Sequence, residues 1–193
     1  MAKEEIETFY PTTPQEWRTW LVDNHDKKQA VWLMFYKKKT KKKTISWSQA
    51  VDEALCYGWI DSKKKTIDEE KYIQFFSRRK PKSTWSKINK NKVLELTEKG
   101  LMTKAGLACI DIAKENGSWS ILDSVDALEV PADLQHALES YPTALDFFEG
   151  LSKSNKKILL YWVISAKRAE TRQKRINEIA EQAGEGKKPK QFR

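Results

Sequence analysis

The chain is poor in the residues from which most recognisable active sites are built. Its 193 residues hold two histidines, His25 and His136, and two cysteines, Cys56 and Cys109. Neither pair lies in a spacing that a zinc site uses, so no metal is expected. Two cysteines make no disulfide framework, and both are read as reduced thiols. With seven glycines there is no Gly-x-Gly-x-x-Gly or Walker-type loop, and no cofactor is expected. No apolar run approaches the ~20 residues of a membrane-spanning helix. Met1–Thr8 is charged and leads into no apolar stretch, which excludes a secretory signal at that point and sets the expectation of a cytoplasmic protein.

Charge and aromatic residues are abundant. Lys and Arg number 36 against 27 Asp and Glu, a net charge of +9, and there are eight tryptophans. Aromatics at 11% exclude global disorder. The charge is uneven: net −2 over residues 1–36, +11 over 37–104, −8 over 105–150 and +8 over 151–193. Two basic blocks flanking an acidic one suit a polyanion partner such as nucleic acid or anionic lipid. Equally, the acidic block can pack beside a basic one and cancel its field.

Local signals place the elements. Thr13-Pro14-Gln15-Glu16 reads as a capped helix start with a capping box, followed by Trp17, Trp20 and Leu21 on one face as far as about Asn24. Ala30–Tyr36 is short, apolar and rich in β-formers, a central strand covered on both faces. Ser46-Trp47-Ser48-Gln49 opens a second helix that ends near Tyr57-Gly58. Trp59-Ile60-Asp61 and Lys71–Ser77 read as hairpin partners. Ser83 is expected to cap a helix that runs to about Lys99 and is closed by Gly100, and Thr103 to cap the next. Pro131 and Pro142 suit short helices at about 131–139 and 142–149, and Ser152 or Ser154 opens a long helix to about Gln182. The fold class expected is α+β: a small, mainly antiparallel sheet with helices in the N-terminal half, then an all-helical C-terminal half. The expected divisions are 9–118, 119–183 and a disordered basic tail at 184–193.

Three strings are unusual: Ala50–Ser62, which contains Ala-Leu-Cys-Tyr-Gly-Trp-Ile-Asp-Ser; Ser77–Lys90, with Arg-Arg-Lys-Pro-Lys-Ser-Thr-Trp-Ser-Lys-Ile-Asn; and Gly100–Leu107. Together with Ala166–Arg172 (Ala-Lys-Arg-Ala-Glu-Thr-Arg) they resemble the YdeI/OmpD-associated family, the bacteriocin-protection proteins, from Pro14 to about Lys188. The resemblance implies a bacterial, cytoplasmic protein tied to envelope stress and peptide-toxin resistance. It supplies no catalytic residue to carry over.

The residues themselves suggest a local anion site. Arg78, Arg79 and Lys82 follow a strand and precede a helix start at Ser83, where free backbone N–H groups and a positive dipole end favour an anion. Trp59 and Trp85 could present flat faces to a base or sugar, and Ser83 and Asn89 could add hydrogen bonds. The plainer reading makes Trp59 and Trp85 core residues and the cations solvated charge. Arg168, Arg172 and Arg175 form a stripe able to grip phosphates, or a solvated helix face paired with Glu170 and Glu178. Glu53 and Asp61 are weak candidates for a general base; Glu53 could instead pair with Arg78 as a clamp. The leading expectation is a non-catalytic protein that binds an anionic small ligand, a phosphate-bearing molecule or, with less support, nucleic acid. The alternatives are a stress-response adaptor that binds a protein partner and an enzyme on a small anionic substrate.

Overall fold

A computed structural model describes residues 6–189, and among these residues are four strands, nine α-helices and one short 3-10 helix, Lys38–Thr40. The chain divides into two units, residues 1–119 and 120–193.

The first unit contains the sheet. In chain order its elements are β1 (Thr8–Phe9), α1 (Pro14–Asn24), β2 (Ala30–Tyr36), α2 (Trp47–Cys56), β3 (Trp59–Thr66), β4 (Lys71–Arg78), α3 (Lys87–Glu98) and α4 (Lys104–Glu115). The sheet order is β1-β2-β4-β3, with β1 parallel to β2 and the other pairings antiparallel. The expected α+β class and mainly antiparallel sheet are what the chain forms.

β2 occupies the bounds its composition indicates and pairs on both edges. Its two faces differ, however. Val31, Leu33 and Phe35 are buried in one core with Trp17, Trp20 and Leu21 of α1 and Val51, Ala54 and Leu55 of α2. Trp32, Met34 and Tyr36 on the other face are only half-buried and belong to neither buried cluster of the molecule. The expectation of cover on both faces is therefore corrected: an apolar strand shows that both faces avoid charge, not that both are packed.

Helix starts follow their caps. Thr13 accepts a hydrogen bond from the Glu16 N–H, yet the Glu16 carboxylate reaches Thr12 rather than the cap residue. Ser46 and Gln49 form the complete reciprocal box. The expected cap at Ser83 is displaced by one turn: Ser86 accepts from the Asn89 N–H and α3 begins at Lys87. Gly100, at φ +66°, closes α3 as the Leu101 N–H bonds the Leu96 carbonyl. Two further glycines permit close packing. A Cβ on Gly106 would stand 2.3 Å from the Cys56 carbonyl oxygen, and one on Gly58, itself at φ +71°, 2.6 Å from Cys109 Sγ. These contacts seat α4 against the end of α2.

The second unit is all-helical: α5 (Asp123–Asp126), α6 (Ala132–Glu139), α7 (Ala144–Glu149), α8 (Lys153–Ile164) and α9 (Ala169–Gly184). Leu134, Leu138, Phe148, Leu159, Leu160, Val163, Ile176 and Ile179 form its core. The single long helix expected from about 152 to 182 is two helices, parted at Ser165–Arg168. No Pro or Gly lies at the break, so the apolar period runs on across it. Glu185–Pro189 was expected to belong to a disordered tail. Instead Gly186, at φ +66°, turns the chain, the Lys187 N–H bonds the Gln182 carbonyl, and Pro189 is buried. The rest of that tail, residues 190–193, lies outside the described residues.

Candidate anion-binding site

β4 ends at Arg78, and the next residue carries the most unusual chemistry in the chain. The Arg79 N–H donates to the Gly58 carbonyl at 2.9 Å, which extends the ladder with the β3 side by one residue. The chain then turns through residues 80–86. The Ser83 N–H bonds the Lys80 carbonyl at 2.9 Å, and the Pro81 carbonyl accepts from Asn116 Nδ2 at 2.8 Å and Ser118 Oγ at 3.2 Å. The turn is thus tied to the segment just after α4.

Within this turn the Arg79 side chain folds back and is 8% exposed. Its guanidinium lies over the Trp85 ring, 3.7 Å from the centroid, and Nη1 donates to the Thr84 carbonyl at 3.0 Å. Trp85, 1% exposed, packs in turn against Trp119 at 4.9 Å between centroids. Arg79 Nε, Arg79 Nη2 and Trp85 Nε1 are buried with no hydrogen-bond partner. Unpaired buried donors are rare, because each has lost water without gaining an acceptor. An unpaired buried cation is rarer still. Burial pushes the Arg79 pKa down to about 10, with partial relief from Cys109 and Asp61. It is a cation at neutral pH even so. Burial also pushes the Cys109 thiol up, while Arg79 draws it down.

The arrangement has a definite chemical complement. Nε and Nη2 form the edge of a guanidinium that matches two oxygens of a carboxylate, phosphate or sulfate. The indole N–H adds a third donor. An anionic group with two oxygens would satisfy the guanidinium edge, and the indole N–H is a further unpaired donor on the ring beneath it.

The other sequence candidates fall elsewhere. Arg78 does not join the site: its Nε donates to the Lys28 carbonyl at 2.9 Å and its backbone N–H to the Gln29 carbonyl, clamping β4 to the segment before β2. Lys82 is exposed on the turn, and Ser83 is half-buried and caps no helix. Asn89 lends its backbone N–H to the Ser86 cap. Trp59 is fully buried, with its Nε1 on the His25 carbonyl at 3.2 Å and its ring edge-on to Trp20. It offers no face to a ligand. Trp85 is both a core ring and the platform beneath Arg79, although it lies before α3 rather than on a helix face.

Glu53 pairs with Arg18 Nη1 at 2.8 Å, not with Arg78, so the expected helix–hairpin clamp is corrected to one between α1 and α2. Asp61 Oδ2 accepts from Trp47 Nε1 at 2.8 Å and Gln74 Nε2 at 3.1 Å, on the wall of an open pocket of about 440 Å³ shared with Lys64 and Tyr72.

In the second unit the arginine stripe is largely occupied by its own neighbours. Arg172 grips Asp133 with both Nε and Nη2, at 2.6 and 2.9 Å, and holds that carboxyl below its usual range. Arg175 Nη1 donates to the Trp162 carbonyl and to Ser165 Oγ, bracing the end of α8. Arg168 is exposed at the start of α9. Among the described residues, no group of three or more His, Cys, Asp or Glu could hold a metal. No described helix is long and apolar enough to cross a membrane.

Sequence reasoning named Arg79 and Trp85 but passed over Trp119, Gly58 and Cys109 as parts of the site. Gly58 sits inside one of the unusual strings; Trp119 and Cys109 carried no local signal, because Trp119 meets Trp85, and Cys109 acts on Arg79, only through the fold.

Comparison with known families divides the chain nearly as the fold does. Residues 9–109, just over half of the chain, match the model described as Domain of unknown function (DUF8412). Residues 127–186 match the model described as Bacteriocin-protection, YdeI or OmpD-Associated. The strings at 50–62, 77–90 and 100–107 lie in the first match, and Ala166–Arg172 in the second. No curated protein and no solved structure matches the chain.

Proposed function

The chain belongs to the family described as Domain of unknown function (DUF8412), with a bacteriocin-protection, YdeI or OmpD-associated segment at 127–186, and from that premise we propose that it binds a small anionic ligand without transforming it. The ligand presents a carboxylate, phosphate or sulfate to Arg79 and Trp85. The observation that carries this reading is the 8%-exposed guanidinium with two unpaired N–H donors beside an unpaired indole N–H. A fold that keeps such a cation buried gains nothing from it unless an acceptor arrives, and an arriving anion recovers the lost solvation. Lys80, Lys82 and Lys87, exposed on the turn and the first residue of α3, add a positive field around it. A cytoplasmic setting in a stress response is part of the same proposal. Two free cysteines suit a reducing compartment.

The test is thermal unfolding of the full chain in acetate, phosphate or sulfate at matched ionic strength, repeated with Arg79→Met. Binding at the site raises the Tm of the native chain in at least one of these anions and leaves that of the variant unchanged. Equal responses in both would sink the proposal.

A further inference from the structure

The sheet has a second face that the anion site does not use. Register assigns it, since directly paired residues share a face. Trp32 pairs with Phe75, Met34 with Ile73 and Tyr36 with Lys71, while Lys65 of β3 pairs with Ile73. The alternate set, Val31 with Phe76 and Phe35 with Tyr72, faces the core. Trp32 and Phe75 meet edge to face at 4.9 Å, and Tyr36 meets Tyr10 the same way at 5.3 Å. An aromatic row therefore runs along β2 from Trp32 to Tyr36, about 13 Å at the rise of a strand. Trp32, Phe75 and Tyr36 are half-buried and join neither core cluster.

Cations rim this row. Lys65 and Lys71 share the face, and Lys42 Nζ lies 4.6 Å from the Tyr36 ring. Residues 37–43 hold six lysines and 63–65 three more. The acidic turn Asp68-Glu69-Glu70 pairs with Lys71, Lys39 and Lys42. Lys38, Lys41, Lys43, Lys63 and Lys65 make no ion pair among the described residues.

We infer that this face binds single-stranded nucleic acid. Bases splayed from an unpaired strand stack on Trp32, Phe75 and Tyr36, and the lysines take the phosphates. The length of the row suits two or three nucleotides. A duplex is a poorer occupant: its base faces are stacked away, and a flat sheet face inserts nothing into a groove. A purely apolar partner is poorer too, because it would leave Lys65 on this face and the other unpaired lysines of 37–43 and 63–65 without a counter-charge. The face is separate from the Arg79 site, whose buried guanidinium admits a single small group.

The experiment is fluorescence anisotropy of a labelled twelve-nucleotide oligo-dT and oligo-U against a duplex of equal length, with the full chain over a salt series. The expected result is tighter binding of the single strands than of the duplex. Trp32→Ala weakens it about tenfold or more. Trp32→Phe, which keeps a ring, restores much of the loss. Lys41→Glu and Lys65→Glu, on the surface and safe for folding, each lower the magnitude of the salt slope by about 0.7. Arg79→Met leaves oligonucleotide binding intact. Equal affinity for the duplex, no effect of either lysine substitution, or loss of binding in Arg79→Met would overturn the inference. So would self-association abolished by Trp32→Ala without oligonucleotide binding, which would make the face a contact between two copies of the chain.

Discussion

The arginines of the two units are held in opposite ways. In the second unit Arg172 meets the two oxygens of Asp133, and Arg175 meets a carbonyl and a hydroxyl at the end of α8. Both are more exposed than Arg79 and have partners within their own unit. In the first unit Arg79 is nearly out of solvent, with one donor satisfied and two not. The sequence marks all three as candidates for an anion. The difference teaches that an arginine in a basic string keeps donors open to an outside anion only where the fold withholds internal acceptors.

The comparison can be broken at its strongest point first. Arg79→Met in buffer free of oxyanions should not destabilise the chain; it should stabilise it by about 2 kcal/mol, because it replaces a buried charge that has no counter-ion and two unmet donors with an unbranched apolar side chain. Denaturant unfolding measures this, and a loss of stability would place Arg79 with the structural arginines. Arg175→Ala should act the other way and cost about 1–2 kcal/mol, since the Trp162 carbonyl and Ser165 lose a charged donor. The same unfolding curves read it out. Arg172→Ala should cost under about 1 kcal/mol, as its pair with Asp133 is partly solvated.

The Arg172 pair also carries a pH signature. The guanidinium lowers the Asp133 pKa in the folded chain, so its contribution is present above the unfolded carboxyl value of about 4 and fades as pH falls through the lower folded value. The acid limb of a Tm–pH profile should show that loss in the native chain, and Arg172→Ala should flatten it by a few tenths of a kcal/mol. An unchanged acid limb would mean that the pair contributes nothing in solution.

Much of the fold was legible where a local interaction decides the outcome. Ser46 with Gln49, Thr103 before α4 and Gly100 after α3 act within a few residues, and the helices begin and end by them. Ala30–Tyr36 was legible as a strand for the same reason: seven apolar residues, mostly β-formers, between polar flanks. The break between α8 and α9 was not. Its neighbours favour helix, and its shape follows from Arg175 reaching back to Trp162 and Ser165 and from the packing of α9 on three other helices. Ser83 misled because Ser86 competes for the same role, and the Thr84 and Trp85 between them are drawn out of the helix to face Arg79.

By itself the sequence determined the α+β class, the all-helical C-terminal half, the basic blocks and a short list that included Arg79 and Trp85. The tertiary structure alone decided which arginine keeps two donors without an acceptor, which tryptophans are core and which side of β2 is left unpacked. Caps and periodicity are set by neighbours along the chain. Desolvation and pairing are set by groups tens of residues away, as Gly58, Cys109 and Trp119 are from Arg79.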